Sequence, residues 1–391
     1  MPLDLYAPAS LLRLLPGALL LVAGCAVLLL GQSARASLKR SVPLCALVSI
    51  GAALLVLTLQ KAGVFGTALP MLGGGLVFDG LADFVRTGAL ILGFILTLAA
   101  WSQPAESERG EFFALALFSL TGLMLVGAAA DLVILFLALE LVSVPTYVMV
   151  VLSRTRKVAV EAGTKYFYLG AMSAAVMGYG FAFLYGVSGT AALYGADGVV
   201  QGVAAALADR SPEGLLRYGL ATLGLVFGLG GLLFKIAAVP LHFYIADVYQ
   251  GSANAVAGFL GFVPKLAGLA AIIKIVALAG WPVQGGLFWV LWLVAAVRMT
   301  VGNVLAAHVN PGSWRCPAAI GGFPANAAQG EWKLTYTFSA AGPVGEGTPY
   351  DDDPLNNTGL PLDPAISNYV HFDGRPMRLL DGRRYVAFGL N

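Results

Sequence analysis

Residues 232–265 read LLFKIAAVPLHFYIADVYQGSANAVAGFLGFVPK. The stretch is mostly apolar, yet it carries Lys235, His242, Asp247 and Lys265. Pro240 stands inside its first apolar run. A proline there removes a backbone N–H and clashes with the preceding turn, so a helix through this run is expected to break at about Val239–His242. In a bilayer, a break is tolerated only where it is buried in protein or lines a wet cavity. Lysines inside apolar helices are expensive, and by default they mark an ion or proton path. A broken helix with a lysine before the break, followed by a second lysine-bearing helix, therefore reads as transport machinery.

The rest of the chain agrees with a membrane setting. Its 391 residues are 58% hydrophobic and 11% charged, with a mean hydropathy of +0.81. Soluble domains carry about 25% charged residues, so the composition places this chain among multi-span membrane proteins, and the spanning runs below make the expected fold an all-α polytopic one. A net charge of +2 gives no ground for nucleic-acid binding. Cys25, Cys45 and Cys316 have neither metal-type spacing nor a disulfide framework. The first apolar run lacks a basic start, so it reads as a retained helix rather than a cleaved signal. Runs long enough to span fall at roughly 11–31, 42–60, 80–101, 111–130, 132–152, 160–187, 215–250 (broken), 253–279 and 284–308, which makes nine spans. Asp131 alone separates spans four and five, so these are expected to form a tight helical hairpin.

Lys and Arg in short loops set the orientation. Arg35, Lys39 and Arg40 follow span one, and Arg154, Arg156 and Lys157 follow span five. Both loops fall on one side, which is the cytoplasmic side by this rule, and the N-terminus then lies outside. Between Ser188 and Glu213, VVQGVAAALADR (199–210) fits an amphipathic surface helix or a plain packed loop helix equally well. The expected division is an antiporter-like membrane region over 1–308 and a polar tail over 309–391. In the tail no spanning run occurs, and WKLTYTF (332–338), with weaker NYVHF and RYVAF, reads as strand. The tail is thus β-rich or disordered.

Ionisable side chains stand near the middle of successive spans: Glu140 on span five, Lys165 on span six, Lys235 on span seven and Lys265 on span eight. Opposite charges on adjacent helices offset the penalty of burial by pairing, and low dielectric brings embedded acids and amines toward proton exchange near neutral pH. Matched depth and opposite charge predict that Glu140 and Lys165 face each other. The bland alternative is a structural ion pair, and Glu161 competes for Lys165 from one helical turn away. Lys274, near a helix end, is expected to snorkel to the interface. Asp247 and Tyr249 read as loop anchors, and Arg298, His308 and His371 receive no role. Asp351 to Asp353 read as a solvated acidic turn rather than a calcium loop.

ELVSVP (140–145), EAGTKYF (161–167), FKIAAVPLHFYIADVYQGSA (234–253) and VPK (263–265) resemble the antiporter-like membrane subunits of respiratory complex I, the proton-translocating NADH–quinone oxidoreductase, and within them the subunit N family. The resemblance covers about residues 10–308. It implies two inverted repeats of membrane helices, each with one discontinuous helix. It also implies a proton path through Glu140, Lys165, Lys235, Lys265 and His242, the last matching a histidine of the central polar axis. The implied partners are other membrane subunits of the complex and the lipid bilayer of a bacterial inner membrane. NADH, FMN, iron–sulfur clusters and quinone would belong to partner subunits, and no cofactor or metal to this chain. The resemblance stops near Ala307, so only the first half-channel is expected, joined to an unrelated tail. Two other readings stand beside this one: a subunit of a multisubunit sodium/proton antiporter, and a non-transporting membrane scaffold.

Overall fold

The computed structural model describes residues 8–278 apart from short segments (34, 65–74, 103, 105–107, 154–156, 195–197, 210 and 212–213), residues 289 and 292–297, and two strands in the tail. The chain divides into two units, Met1–Arg298 and Met299–Asn391. In the first unit the order is α1 (Pro8–Gly31), α2 (Ala36–Lys61), α3 (Gly80–Ala99), α4 (Arg109–Ala128), α5 (Leu132–Leu152), α6 (Lys157–Ser188), α7 (Val199–Ala208), α8 (Leu215–Lys235), α9 (Ile245–Gly251) and α10 (Asn254–Leu278). Eight of the described helices, all but α7 and α9, are long and apolar enough to span a bilayer. The protein is a multi-pass membrane protein, and the described elements of its first unit are all α-helices. Span nine, 284–308, lies largely outside the described residues, as does Arg298.

Helix α4 is the centre of the bundle. It is apolar on every side, and Phe112, Phe113, Leu117, Leu120 and Leu123 are all buried. A helix without a polar face has to be surrounded, and α1, α2, α3, α5 and α10 pack around it. Lipid gives helices no hydrophobic reason to associate, so close approach through small residues matters. It is closest where Gly180 of α6 meets Gly228 of α8: a Cβ on Gly180 would overlap the Gly228 backbone. Ser173 adds a hydrogen bond from its hydroxyl to the Gly231 carbonyl at 2.9 Å. These contacts fix the end of α8, where Lys235 stands.

The predicted α4–α5 hairpin is present, and Asp131 is its joint. Its carboxylate accepts from the amides of Val133 (2.7 Å) and Ile134 (3.3 Å), an N-cap for α5. The same link is tied into a cap by backbone bonds. Val77 N–H donates to Ala128 O, Ala130 N–H to Gly75 O, and Leu193 N–H to Ala130 O, each at 2.8 Å. Helix α7 lies over this side with Val199, Val203 and Ala206 buried, so its apolar face turns to protein, as a packed loop helix does.

In the second unit, β1 (Leu334–Ser339) and β2 (Tyr385–Leu390) pair antiparallel with Tyr336 opposite Phe388. WKLTYTF and RYVAF thus overlap strands. NYVHF, Asp351 to Asp353, His308, His371 and Cys316 lie outside the described residues.

Candidate functional site

Helix α8 ends at Lys235, five residues ahead of Pro240, and helical structure resumes at Ile245. The break therefore contains the expected Val239–His242 but begins earlier, and the proline is not what ends the helix. Ala237 N–H donates to Phe234 O and Ala238 N–H to Leu233 O, each at 2.8 Å, with Ala237 at φ 53°. This is a Schellman closure with alanine in the left-handed position that glycine normally fills. For an L-residue that conformation costs about 1–2 kcal/mol. Pro240, after a cis Val239–Pro240 bond, lies within the non-helical segment 236–244. The second half is tied back to the first by Tyr244, whose hydroxyl donates to the Phe234 carbonyl at 2.9 Å. Its ring stacks on Phe234 with centroids 4.3 Å apart and on Tyr166 at 5.8 Å.

Lys235 is thus the last helical residue before the break. Its ammonium donates to Glu140 Oε1 at 2.9 Å and to Ser143 Oγ at 2.7 Å. The two charged side chains are 6% and 23% exposed. Glu140 and Ser143 are one turn apart on α5, so both point to the same side. Ser143 in turn donates to Leu139 O at 2.8 Å. Pro145 lies one turn beyond Leu141 on α5 and supplies no N–H for its carbonyl. From α4, Ser119 donates to the next carbonyl, that of Val142, at 3.1 Å. The result is one buried cation, one carboxylate and one hydroxyl, gathered where α8 ends.

The expected Glu140–Lys165 pair is not formed. Lys165 instead bonds Glu161 at 2.7 Å and Asp247 at 3.0 Å, and all of these side chains are exposed. Helical periodicity turns Lys165 away from α5, and α9 brings Asp247 to it. Asp247 is therefore an ion-pair partner rather than only a loop anchor. Lys265 lies on α10 with its ammonium 5.5 Å from the centroid of the Tyr249 ring, within cation–π reach. His242 lies within the break, and its Nδ1 is buried without a hydrogen-bond partner, as is the Tyr249 hydroxyl. The structure thus brings Glu140 and Lys235 together, leaves Lys165 at the surface, and puts His242 and Lys265 beside the break.

Lys274 does not snorkel. It is 1% exposed and donates to Ala129 O at 2.7 Å. Its cation meets the C-terminal end of α4, where the helix dipole is negative. The cap closes over this end and shuts the side chain in.

Residues 129–310 match the family described as NADH:quinone oxidoreductase/Mrp antiporter, transmembrane. The likeness to that family lies in this segment, from α5 onward. The curated NADH-quinone oxidoreductase subunit N of Trichlorobacter lovleyi is 33% identical over 306 residues, covering 78% of this chain and 60% of that protein. Among solved structures, respiratory complex I from Thermus thermophilus with bound aureothin gives a TM-score of 0.59 at 29% identity, covering 75% of this chain and 59% of the matched one. The Mrp complex from Dietzia sp. DQ12-45-1b gives 0.60 at 22% identity, covering 77% and 54%, a likeness of fold. The chain spans between 37% and 60% of the length of the curated relatives it matches. The matched segment starts at the α4–α5 joint and takes in Glu140, Lys165, Lys235, His242 and Lys265.

Proposed function

We propose that this chain serves as an antiporter-like membrane subunit of a bacterial inner-membrane NADH–quinone oxidoreductase and carries protons through the Glu140–Lys235 site. The observation that carries this reading is Lys235 itself: a buried ammonium at the end of an interrupted helix, 2.9 Å from a carboxylate on the neighbouring helix. Opposite charge holds the proton on the lysine, and burial opposes it. Movement of Glu140 away from Lys235, or arrival of another positive charge, tips that balance and releases the proton. Lys265 on the next helix is the acceptor, reached across the break through His242 and Tyr249. Lys165, with Glu161 and Asp247, serves at the exposed flank, where a neighbouring membrane subunit of the complex would meet it. NADH, flavin, iron–sulfur and quinone chemistry fall to partner subunits. Residues 1–308 are the transport region in this reading, and 309–391 a separate tail.

Proton pumping by assembled complex in membrane vesicles, at matched subunit abundance, tests the proposal. Lys235→Ala should abolish this chain's share of pumping while insertion persists. Lys235→Arg should also impair it, because arginine keeps its charge at any relevant pH and releases no proton. Normal pumping by the arginine variant would leave Lys235 as a structural charge, as a scaffold requires. The Mrp complex shares the fold at a TM-score of 0.60, which favours a sodium/proton antiporter as the second reading. Transport that needs sodium would select it.

A further inference from the structure

Tyr244 stands just ahead of α9, 4% exposed, on the far side of the break from Lys235. We propose that Tyr244 is the positioning residue for Lys235: by holding the Phe234 carbonyl it fixes the end of α8 in the register that sets the ammonium against Glu140 and Ser143. The inference deepens the proton-carrier reading and rests on it for its consequence in transport.

The end of α8 needs support from outside its own backbone. Its closure puts Ala237 at φ 53°, a conformation that is strained for an L-residue. The closing bond from Ala237 N–H falls on Phe234 O at 2.8 Å. The Tyr244 hydroxyl donates to the same oxygen at 2.9 Å and so occupies its second lone pair. Phe234 directly precedes Lys235, so a shift of its carbonyl carries the lysine backbone with it. A side-chain donor at this point offsets the strain of the alanine and keeps the turn closed. The ring adds to the hold, since it lies flat on Phe234 with centroids 4.3 Å apart and an angle of 10° between planes.

Tyr244 can position another residue because contacts with α6 fix Tyr244 itself. Its ring stacks on Tyr166 at 5.8 Å. One turn later Asp247 bonds Lys165 at 3.0 Å. One turn after that, Gly251 packs on Ala162 so closely that an added Cβ would overlap it. The segment 244–251 thus runs antiparallel along 162–166 and is held at three successive turns. Tyr166 in turn meets Tyr147 edge-on at 4.6 Å, and Gly170 leaves the space that the Tyr147 hydroxyl takes. Tyr147 follows Ser143 by one turn on α5, and Ser143 follows Glu140 by one turn, so all three share a face. The contacts therefore close a ring. It runs from Lys235 to Glu140 and Ser143, along α5 to Tyr147, across to Tyr166, and back through Tyr244 and Phe234. Tyr244 is the member of this ring that bridges the break.

Infrared difference spectroscopy of the full chain in lipid nanodiscs tests the proposal without relying on transport. The signal is the Glu140 carboxylate band, isolated by subtracting the spectrum of the matching Glu140→Gln variant, and it reports the ammonium 2.9 Å away. Tyr244→Phe keeps the ring and its stacking and removes only the hydroxyl, and it should displace the band. Tyr179→Phe, at an exposed position of α6, should not. Adding Ala237→Gly to Tyr244→Phe relieves the strained closure and should return the band toward its wild-type position, a rescue that a merely structural hydroxyl would not show. In assembled complex at matched abundance, Tyr244→Phe should lower this chain's share of pumping by about ten- to hundredfold, the effect of a misplacement of about 1 Å. An unchanged band in Tyr244→Phe, an equal displacement in Tyr179→Phe, or no recovery with Ala237→Gly would overturn the proposal. So would normal pumping by Tyr244→Phe where Lys235→Arg fails to pump. If Lys235→Arg pumps normally, the proton-carrier reading falls, and the band alone decides whether Tyr244 positions the pair.

Discussion

Replacing Glu140 with glutamine keeps the shape of the side chain and removes the charge that faces Lys235. At 2.9 Å and an effective dielectric of about 20, the gross attraction is about 6 kcal/mol, most of it offset by desolvation of the two ions. Breaking a buried pair by removing one partner typically costs about 3–5 kcal/mol, because a buried charge is left behind. Two features moderate this. Glu140 is 23% exposed, and Ser143 still accepts from Lys235 at 2.7 Å. Glu140→Gln should therefore destabilise by about 2–3 kcal/mol, or lower Tm by about 5–10 °C. Lys235→Met should act similarly by stranding the carboxylate. The double variant Glu140→Gln/Lys235→Met leaves no buried ion, so it should recover most of the lost stability. It should not recover proton transport, since neither proton-binding group remains. Thermal unfolding in detergent gives the first quantity and vesicle pumping the second. A double variant no more stable than either single one would refute the buried-pair energetics. A double variant that pumps normally would refute the transport role and leave the pair as a helix clamp.

Ala237→Gly should raise stability by about 0.5–1 kcal/mol in thermal unfolding, because glycine takes φ 53° without strain, less its larger unfolded-state entropy; a fall in Tm would show that the strain argument fails. Lys274→Met should destabilise by about 1–3 kcal/mol, because Ala129 O loses its buried donor; an unchanged Tm would return Lys274 to the interface. Lys165→Gln should shift Tm by less than about 2 °C, since its ion pairs are exposed and screened; a large shift would mean that the pairs are desolvated. The Asp209 carboxyl, bonded by the Ser211 hydroxyl and by its amide at 2.9 Å, is held below the ordinary carboxylate value. The stability it contributes through its bonds to Ser211 is present above that ordinary value and lost as pH falls through the lower folded one. Hydrogen exchange should record this loss, and Asp209→Asn should abolish the pH dependence.

The spans were legible because the bilayer imposes one rule on all of them. Each needs about 20 apolar residues, and the runs ended where charge or a turn residue ended them. Asp131 was legible as a hairpin joint, because a single charged residue between two spanning runs leaves no room for a longer link; its N-cap role comes from the structure. Lys235 and Lys265 also stood out, since a lysine with no acid one turn away on its own helix has to be satisfied from elsewhere. What remained hidden was which elsewhere. Depth along the membrane normal can be counted from sequence, but rotation about a helix axis cannot be fixed when the helix is apolar all round. Spans five and six match in depth, and depth with opposite charge predicts a Glu140–Lys165 pair, but neither fixes the rotation that decides it.

The partner of Glu140 came from span seven because of packing that sequence shows only as composition. Gly180 and Gly228 let α6 and α8 approach until backbones touch, and Ser173 fixes the register through Gly231. That contact places the end of α8 against α5 at the level of Glu140 and Ser143. The Schellman closure then stops the helix at Lys235, so the ammonium meets the carboxylate rather than continuing past it. The snorkelling expected of Lys274 fails for the same class of reason. Its position near a helix end suits snorkelling, unless another element closes over that end, and the backbone bonds of 75–77, 128–132 and 191–193 do so. In both cases the missing information was a contact between elements far apart in the chain. In both, the signal that remained in the sequence was a lysine without a local acid, which is the feature to follow when only the sequence is in hand.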